Sequence, residues 1–508
     1  MNEPVEFSTG FFVPASAHSP MKRILFLLLF LPGFSQAADF EWTPRVQQAY
    51  LDIFKLKLNK GRQELAPELK TNGVALYLDD YADMLSLLLT EDRKAYESME
   101  KNGEKRLQQL EDMDEDSPWN RCLRAEIRLH WAFVKIKFGK EVPGAWDIIK
   151  AYKLLDENAR KFPQFTYNKK ALGMLHVLIG STPESYRWVT KLLGLRGNIQ
   201  QGLQEIHAVT QKEPLFRTEA QLIEYLMQGY ILRLSGREVT DFQKYLTQNS
   251  DNLLIQFFGN SILMKEGHGE AALALAQNRP NSPEYLDIPF FDYHIGEILL
   301  QKGQYAHAIA AFQQFLKQHP AGNFVKDATY KQYLCYALAG DEAKARTQYE
   351  RVKTIGQAHN EADKSAQKAC NAAYQPLIDT QKLVLKARFA GDGGYYETAL
   401  QNLKNTSEAQ FSQPYDQTEY NYRKARIYHK MNDFVTAIPL YERAIALGEG
   451  QNWHFAPSSC LQLGYIFQLR NDKAKAKSYF EKAISYKKHE YKNSVDGKAK
   501  AALTEMGY

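Results

Sequence analysis

From Glu41 to Glu505 apolar positions recur at helical spacing, and alternating runs between turn signals are scarce, so the pattern predicts helices throughout and no sheet. The clearest order lies toward the C-terminus. Gly296, Leu299, Gly303, Tyr305, Ala308, Phe312 and Pro320 read as small, large, turn glycine, aromatic, small, aromatic, terminating proline. Two antiparallel helices explain that order: a small residue midway along each lets the axes approach, large residues a turn away fill the groove, and proline stops the second helix. The order returns with Tyr336, Gly340-Asp341, Ala345 and Tyr349, where Tyr333 takes the first small position. It returns with Ala387, Gly394, Tyr396, Ala399 and Leu403; with Ala425, Tyr428, Asp433-Phe434, Ala437, Tyr441 and Ala444; and with Leu463-Gly464, Phe467, Asn471-Asp472, Ala476, Phe480 and Ala483. The second-helix alanines are 37, 54, 38 and 39 residues apart, and the long step leaves room for an additional helix between Val352 and Tyr374. The glycines of Gly391-Asp392-Gly393-Gly394 are expected to form a turn one residue longer than the others, rather than a phosphate cradle.

This order of residues resembles the tetratricopeptide repeat, whose period is about 34 residues. The resemblance implies an all-α chain of helical hairpins stacked into a right-handed α-solenoid, with the first helices lining a concave binding face. On that face the copy around Ala425 would present Tyr422, Arg423, Arg426, His429 and Lys430, the last copy Tyr465 and Gln468, and the earliest clear one Tyr293 and His294. Such an aromatic and basic groove suits an extended, acidic protein or peptide, because tyrosine offers rigid contact area and arginine grips carboxylates in a fork. The Lys and Asn clamp that some family members use for C-terminal carboxylates is not reproduced.

The N-terminal half is helical with degraded repeats. Ser117-Pro118 predicts a helix start, followed by Trp119, Leu123, Ile127, Trp131 and Val134 at helical spacing, and a partner helix from Pro143 carries Trp146, Ile149, Tyr152 and Leu155. Upstream, Val46–Leu69 and Val74–Met113 read as further helical hairpins. Between Ser181 and Leu203 the residues Pro183, Tyr186, Trp188, Leu192 to Gly194, Gly197 and Gly202-Leu203 resemble a stretch of the eukaryotic tetratricopeptide repeat protein 39 family, related to a yeast inclusion-body clearance factor. That family is intracellular, and what it implies is a helical scaffold without chemistry of its own.

The start of the chain has a different character. Met21-Lys22-Arg23, the apolar run Ile24–Leu31, Pro32-Gly33 and the small-x-small site Ser35-Gln36-Ala37 predict a secretory signal cleaved after Ala37. The division expected is therefore an upstream extension over 1–20, the signal over 21–37, a degenerate helical region over 38–280 and the repeat array over 281–508. The mature chain should be periplasmic, envelope-associated or secreted from a bacterium, with no transmembrane segment.

Composition narrows the function. A net charge of +5, spread along the chain, gives no case for nucleic acid. Cys122, Cys335, Cys370 and Cys460 are far apart and read as buried core. No metal pair, nucleophile elbow or phosphate loop occurs, and His307 and His319 are expected at the surface, so neither metal, cofactor nor catalysis is predicted. The reading is an exported, non-enzymatic interaction scaffold. Its alternatives are a lipid- or glycan-binding protein built on Trp119, Trp131, Trp146 and Trp188, or a hydrolase whose residues meet only in space.

Overall fold

The computed structural model describes residues 39–182, 190, 193–232, 234 and 236–508. The signal segment, and Pro183, Tyr186, Trp188 and Leu192 of the 181–203 stretch, lie outside them. Among the described residues every regular element is helical, and the fold is an all-α helical repeat.

One turn geometry recurs in all five predicted hairpins. Gly303, Gly340, Gly394, Asn432 and Asn471 take left-handed φ values of 78, 87, 87, 62 and 58°. Each sits seven residues after the first-helix small position and five before the second-helix alanine. The next residue donates its N–H back into the first helix, Gln304 to the Leu299 carbonyl at 2.8 Å, Asp341 to Tyr336 at 2.9 Å and Tyr395 to Ala390 at 2.8 Å. Asp433 and Asp472 do the same to Tyr428 and Phe467, both at 2.9 Å. This wide capping bond satisfies a carbonyl the helix would otherwise leave open, and it requires the left-handed residue before it, which glycine and asparagine supply at least cost.

The same turn appears three more times in the half whose repeats are degraded in sequence. Leu56, Gly139 and Gly267 have φ values of 67, 82 and 81°, and Lys57, Lys140 and His268 donate to Asp52, Lys135 and Leu263 at 2.7–2.8 Å. The flanking small pairs, at the same offsets, are Ala49 with Gly61 and Ala132 with Gly144. A Cβ on Gly144 would lie 2.8 Å from the Ala132 carbonyl oxygen, which shows how close the helices run. In the third, Asn260 replaces the small residue and its amide donates to the Ala272 carbonyl at 2.7 Å. The helices Asn168–Gly180 and Ile199–Lys212 also touch backbone to backbone, at Gly173 and Gly202.

Inside the hairpins, glycine makes room for rings. A Cβ on Gly296 would meet the Phe312 ring at 2.7 Å, and one on Gly464 the Phe480 ring at 2.4 Å. Where Tyr333 replaces the glycine, its ring instead meets Tyr349 edge-on at 5.3 Å. One apolar core runs from Val46 to Leu338 without a break at residue 280, and smaller clusters follow.

The additional helix in the long step is Glu361–Ala369. Asp363 on it caps the neighbouring helix Val325–Ala339, accepting from the N–H groups of Phe324 at 2.7 Å and Asp327 at 2.9 Å. Two expectations are corrected. The turn at Gly391–Gly394 is no longer than the others: the helices Asp379–Asp392 and Tyr396–Leu403 are joined as Phe290–Gln301 and Tyr305–Gln318 are. The additional glycine there serves a contact with another turn: Gly393 accepts from Gly269 N–H at 3.1 Å. His319 is buried among Phe290 and Phe315, with Glu91 3.9 Å away, because the chain folds an earlier helix end over it.

Candidate functional site

Along the N-terminal half the inner faces of the first helices meet one another. Lys170 holds its ammonium 3.2 Å from Glu126 and 3.0 Å from Glu219, while Tyr167 donates to Glu126 at 3.2 Å and Tyr50 to Glu219 at 2.9 Å. These residues come from the helices Pro44–Phe54, Pro118–Lys137, Asn168–Gly180 and Arg217–Ile231, and all are buried. Burial opposes the charge on Lys170, but Glu126 and Glu219 more than offset it and hold the ammonium above its usual range. A second buried group centres on Asp80, which accepts from Arg106 at 2.9 Å and from the Trp131 indole at 2.8 Å, beside His130 at 2.9 Å. The inner face here is filled by the chain's own side chains.

The three described tryptophans, Trp119, Trp131 and Trp146, do not form a shared platform. Trp131 is buried on Asp80, and Trp119 packs in a core cluster with Trp42, Phe165 and Tyr167. Trp146 is 55% exposed on the helix Glu141–Lys161, and Trp188 is outside the described residues.

The first array hairpin is also closed inward. Tyr293 is buried and donates to Asp327 at 2.6 Å, while Lys331 donates to the Tyr293 hydroxyl at 2.6 Å. His294 lies stacked on Phe257 at 5.4 Å, and burial, with Lys331 nearby, pushes its pKa down to about 4.

The face opens between the helices Asp379–Asp392 and Pro414–Lys430. A shallow cleft, open to solvent, is lined there by Arg388, Asp392, Arg423, Arg426 and Lys430 over Ala387, Gly391 and Ile427. Arg423 is committed to Glu419, with Nε and Nη2 both 3.0 Å from one carboxylate oxygen. Arg388 and Arg426 are not so held. They approach the two oxygens of Asp392 at 3.8 and 4.0 Å, beyond hydrogen-bonding distance, while Glu419 also acts on the Arg388 charge and Tyr422 on that of Arg426. Tyr422 is buried behind them, its ring 6.0 Å from the Arg426 guanidinium.

Of the predicted groove residues, the structure thus gathers Arg423, Arg426 and Lys430 into one cleft with Tyr422 behind it. His429 is buried against the Tyr441 hydroxyl at 3.2 Å. Tyr465 packs on Phe480 at 5.3 Å, and Gln468 donates to Glu505 at 3.4 Å, both in the next hairpin and outside the cleft lining. Sequence reading missed Arg388 and Asp392. Arg388 follows Ala387 as Arg426 follows Ala425, so the rule applied to the later copy finds it.

Among the described residues no group of His, Cys, Asp and Glu could hold a metal ion, and no helix is long and apolar enough to cross a membrane. All four cysteines are buried and unbridged, and burial raises the thiol pKa of Cys335, Cys370 and Cys460 to about 12.

Three family models described as tetratricopeptide repeat match residues 292–321, 422–452 and 457–490, the hairpins just described. The chain carries tetratricopeptide repeats over these stretches. Its tetratricopeptide repeats are those of a protein–protein interaction scaffold. Solved structures similar to it include the P58(IPK) tetratricopeptide repeat domain, at 14% identity and a TM-score of 0.21, covering 84% of this chain and 99% of that one. Yeast Tom70 matches at 13% identity and a TM-score of 0.24, over 91% and 88% of the two chains. Naa15/Naa10 bound to HypK-THB matches at 16% and 0.26, over 91% and 67%. No curated protein matches the sequence.

Proposed function

We propose that this protein is an exported, non-catalytic scaffold that binds an acidic segment of a partner protein along the concave face of its C-terminal tetratricopeptide repeats. The observation that carries the reading is the pair Arg388 and Arg426, which flank Asp392 without hydrogen-bonding it, whereas Tyr293 of the first array hairpin and Lys170 further upstream are buried against partners of their own. A guanidinium fork pairs with a carboxylate through two parallel hydrogen bonds, and three such forks, Arg388, Arg423 and Arg426, around the two internal acids Asp392 and Glu419 leave excess positive charge for a ligand. The export part rests on the Met21–Ala37 pattern.

Affinity capture from the cell envelope tests both parts. A stoichiometric protein partner held by the natural chain and lost by Arg388→Gln/Arg426→Gln is expected; a partner retained undiminished by that variant removes the cleft from the reading. Export predicts that the protein recovered from the cell starts at Ala38. Recovery of a chain that still begins before Lys22 removes export.

A further inference from the structure

The loop Tyr486–Tyr491, between the helices Lys473–Ser485 and Lys492–Glu505, reaches away from its own hairpin. Glu490 accepts from the Lys368 ammonium at 2.8 Å, 122 residues back, on the additional helix Glu361–Ala369. Its other oxygen lies 3.4 Å from Nδ1 of His454, at the start of the helix Phe455–Leu469. The Tyr491 ring meets the His454 ring edge-on at 5.2 Å. His454 in turn lies 5.9 Å from the Tyr422 ring and 4.3 Å from Phe455, over which the Arg423 guanidinium sits at 5.9 Å. An acidic residue followed by an aromatic one therefore rests on the aromatic and basic side chains that continue into the cleft.

We propose that Glu490 and Tyr491 form a strap occupying one end of the groove, and that the partner presents a carboxylate next to an aromatic ring and displaces it. This inference rests on the groove reading above and adds the ligand's chemistry. The hold is of a kind that exchanges. Lys368 and Glu490 remain 75% and 46% exposed, and an ion pair that wet contributes little, because water and salt screen it. Tyr491 is in the left-handed region at φ 61°, a conformation costly for a side-chain residue, and its ring stays 62% exposed. An incoming Glu-Tyr pair restores the contacts to Lys368 and His454 while the loop relaxes.

The test titrates the full chain with a fluorescent, acetylated and amidated peptide carrying a central Glu-Tyr pair between glycine and serine residues. Because a closed strap lowers the fraction of chains able to bind, Glu490→Gln is expected to bind about three- to fivefold more tightly than the natural chain. Saturating peptide is expected to speed tryptic cleavage after Lys487 and Lys488 in the natural chain, which a permanently docked loop would not show. A Gln-Tyr peptide that binds as tightly as Glu-Tyr overturns the carboxylate requirement. Equal affinities of Glu490→Gln and natural chains, with binding lost in Arg388→Gln/Arg426→Gln, overturn the strap and leave the groove standing. No saturable binding by any of these chains overturns groove and strap together.

Discussion

Gly394 lies so close to Gly267 that a Cβ on it would sit 1.9 Å from the Gly267 carbonyl oxygen. The two glycines are the left-handed turn residues of separate hairpins, φ 87 and 81°, and their turns pack backbone on backbone. Gly303 holds the same conformation with only the Tyr305 hydroxyl at 4.0 Å.

The two positions therefore separate conformational cost from contact. Gly303→Ala is expected to destabilise by about 1 kcal/mol, the cost of placing a Cβ in the left-handed region. Gly394→Ala adds a collision with backbone that no side-chain rotation relieves, and should cost roughly 3 kcal/mol or more. Urea denaturation of both variants checks the difference; equal losses would mean the turns do not pack as described.

Glycine within a helix acts differently. Gly464→Ala pushes a methyl into the Phe480 ring and is expected to cost about 1–3 kcal/mol by overpacking. Adding Phe480→Leu should recover part of that loss, because the smaller side chain vacates the space. A double-mutant cycle with no coupling would contradict the contact.

Lys170 ties the inner faces of several hairpins together through Glu126 and Glu219. Lys170→Met leaves two carboxylates buried without their cation, and a loss on the order of 3–5 kcal/mol is expected. Thermal unfolding measures it, and a near-neutral result would show that the carboxylates reach water.

His294 supplies a pH dependence. Its pKa in the fold is about 4, below the ordinary value of about 6.5 that the unfolded chain restores. Above pH 6.5 both states carry a neutral ring and the residue contributes nothing to pH sensitivity. As pH falls from about 6.5 toward 4 the unfolded state takes up the proton and the folded state does not, so stability declines, by on the order of 3 kcal/mol, and levels off below 4. His294→Gln should flatten the fall in denaturation midpoint between pH 7 and 4.5; an unchanged slope would mean the ring is protonated in the fold.

What the sequence determined is local. Helical periodicity, the terminating Pro320, the turn residues at Gly303, Gly340, Gly394 and Asn471, and the cap at Ser117 follow from short-range sterics and hydrogen bonds, and each stands where the residues place it. Even the degraded hairpins obey one spacing, small residue, left-handed residue seven on, small residue five further, hidden because Leu56 and Asn260 stand where glycine or alanine is expected. Tertiary structure alone decided which of the predicted groove residues stay open. Tyr293, His294, Tyr422, Arg426 and Lys430 occupy comparable faces of their helices, but Asp327 and Lys331 close over the first of these, whereas Arg426 and Lys430 line an open cleft. Burial of a helix face depends on what another hairpin brings across it, and partners such as Tyr50 with Glu219, or Lys368 with Glu490, are more than a hundred residues apart. Helical periodicity says which face of a helix turns inward, but nothing in it says what that face will meet.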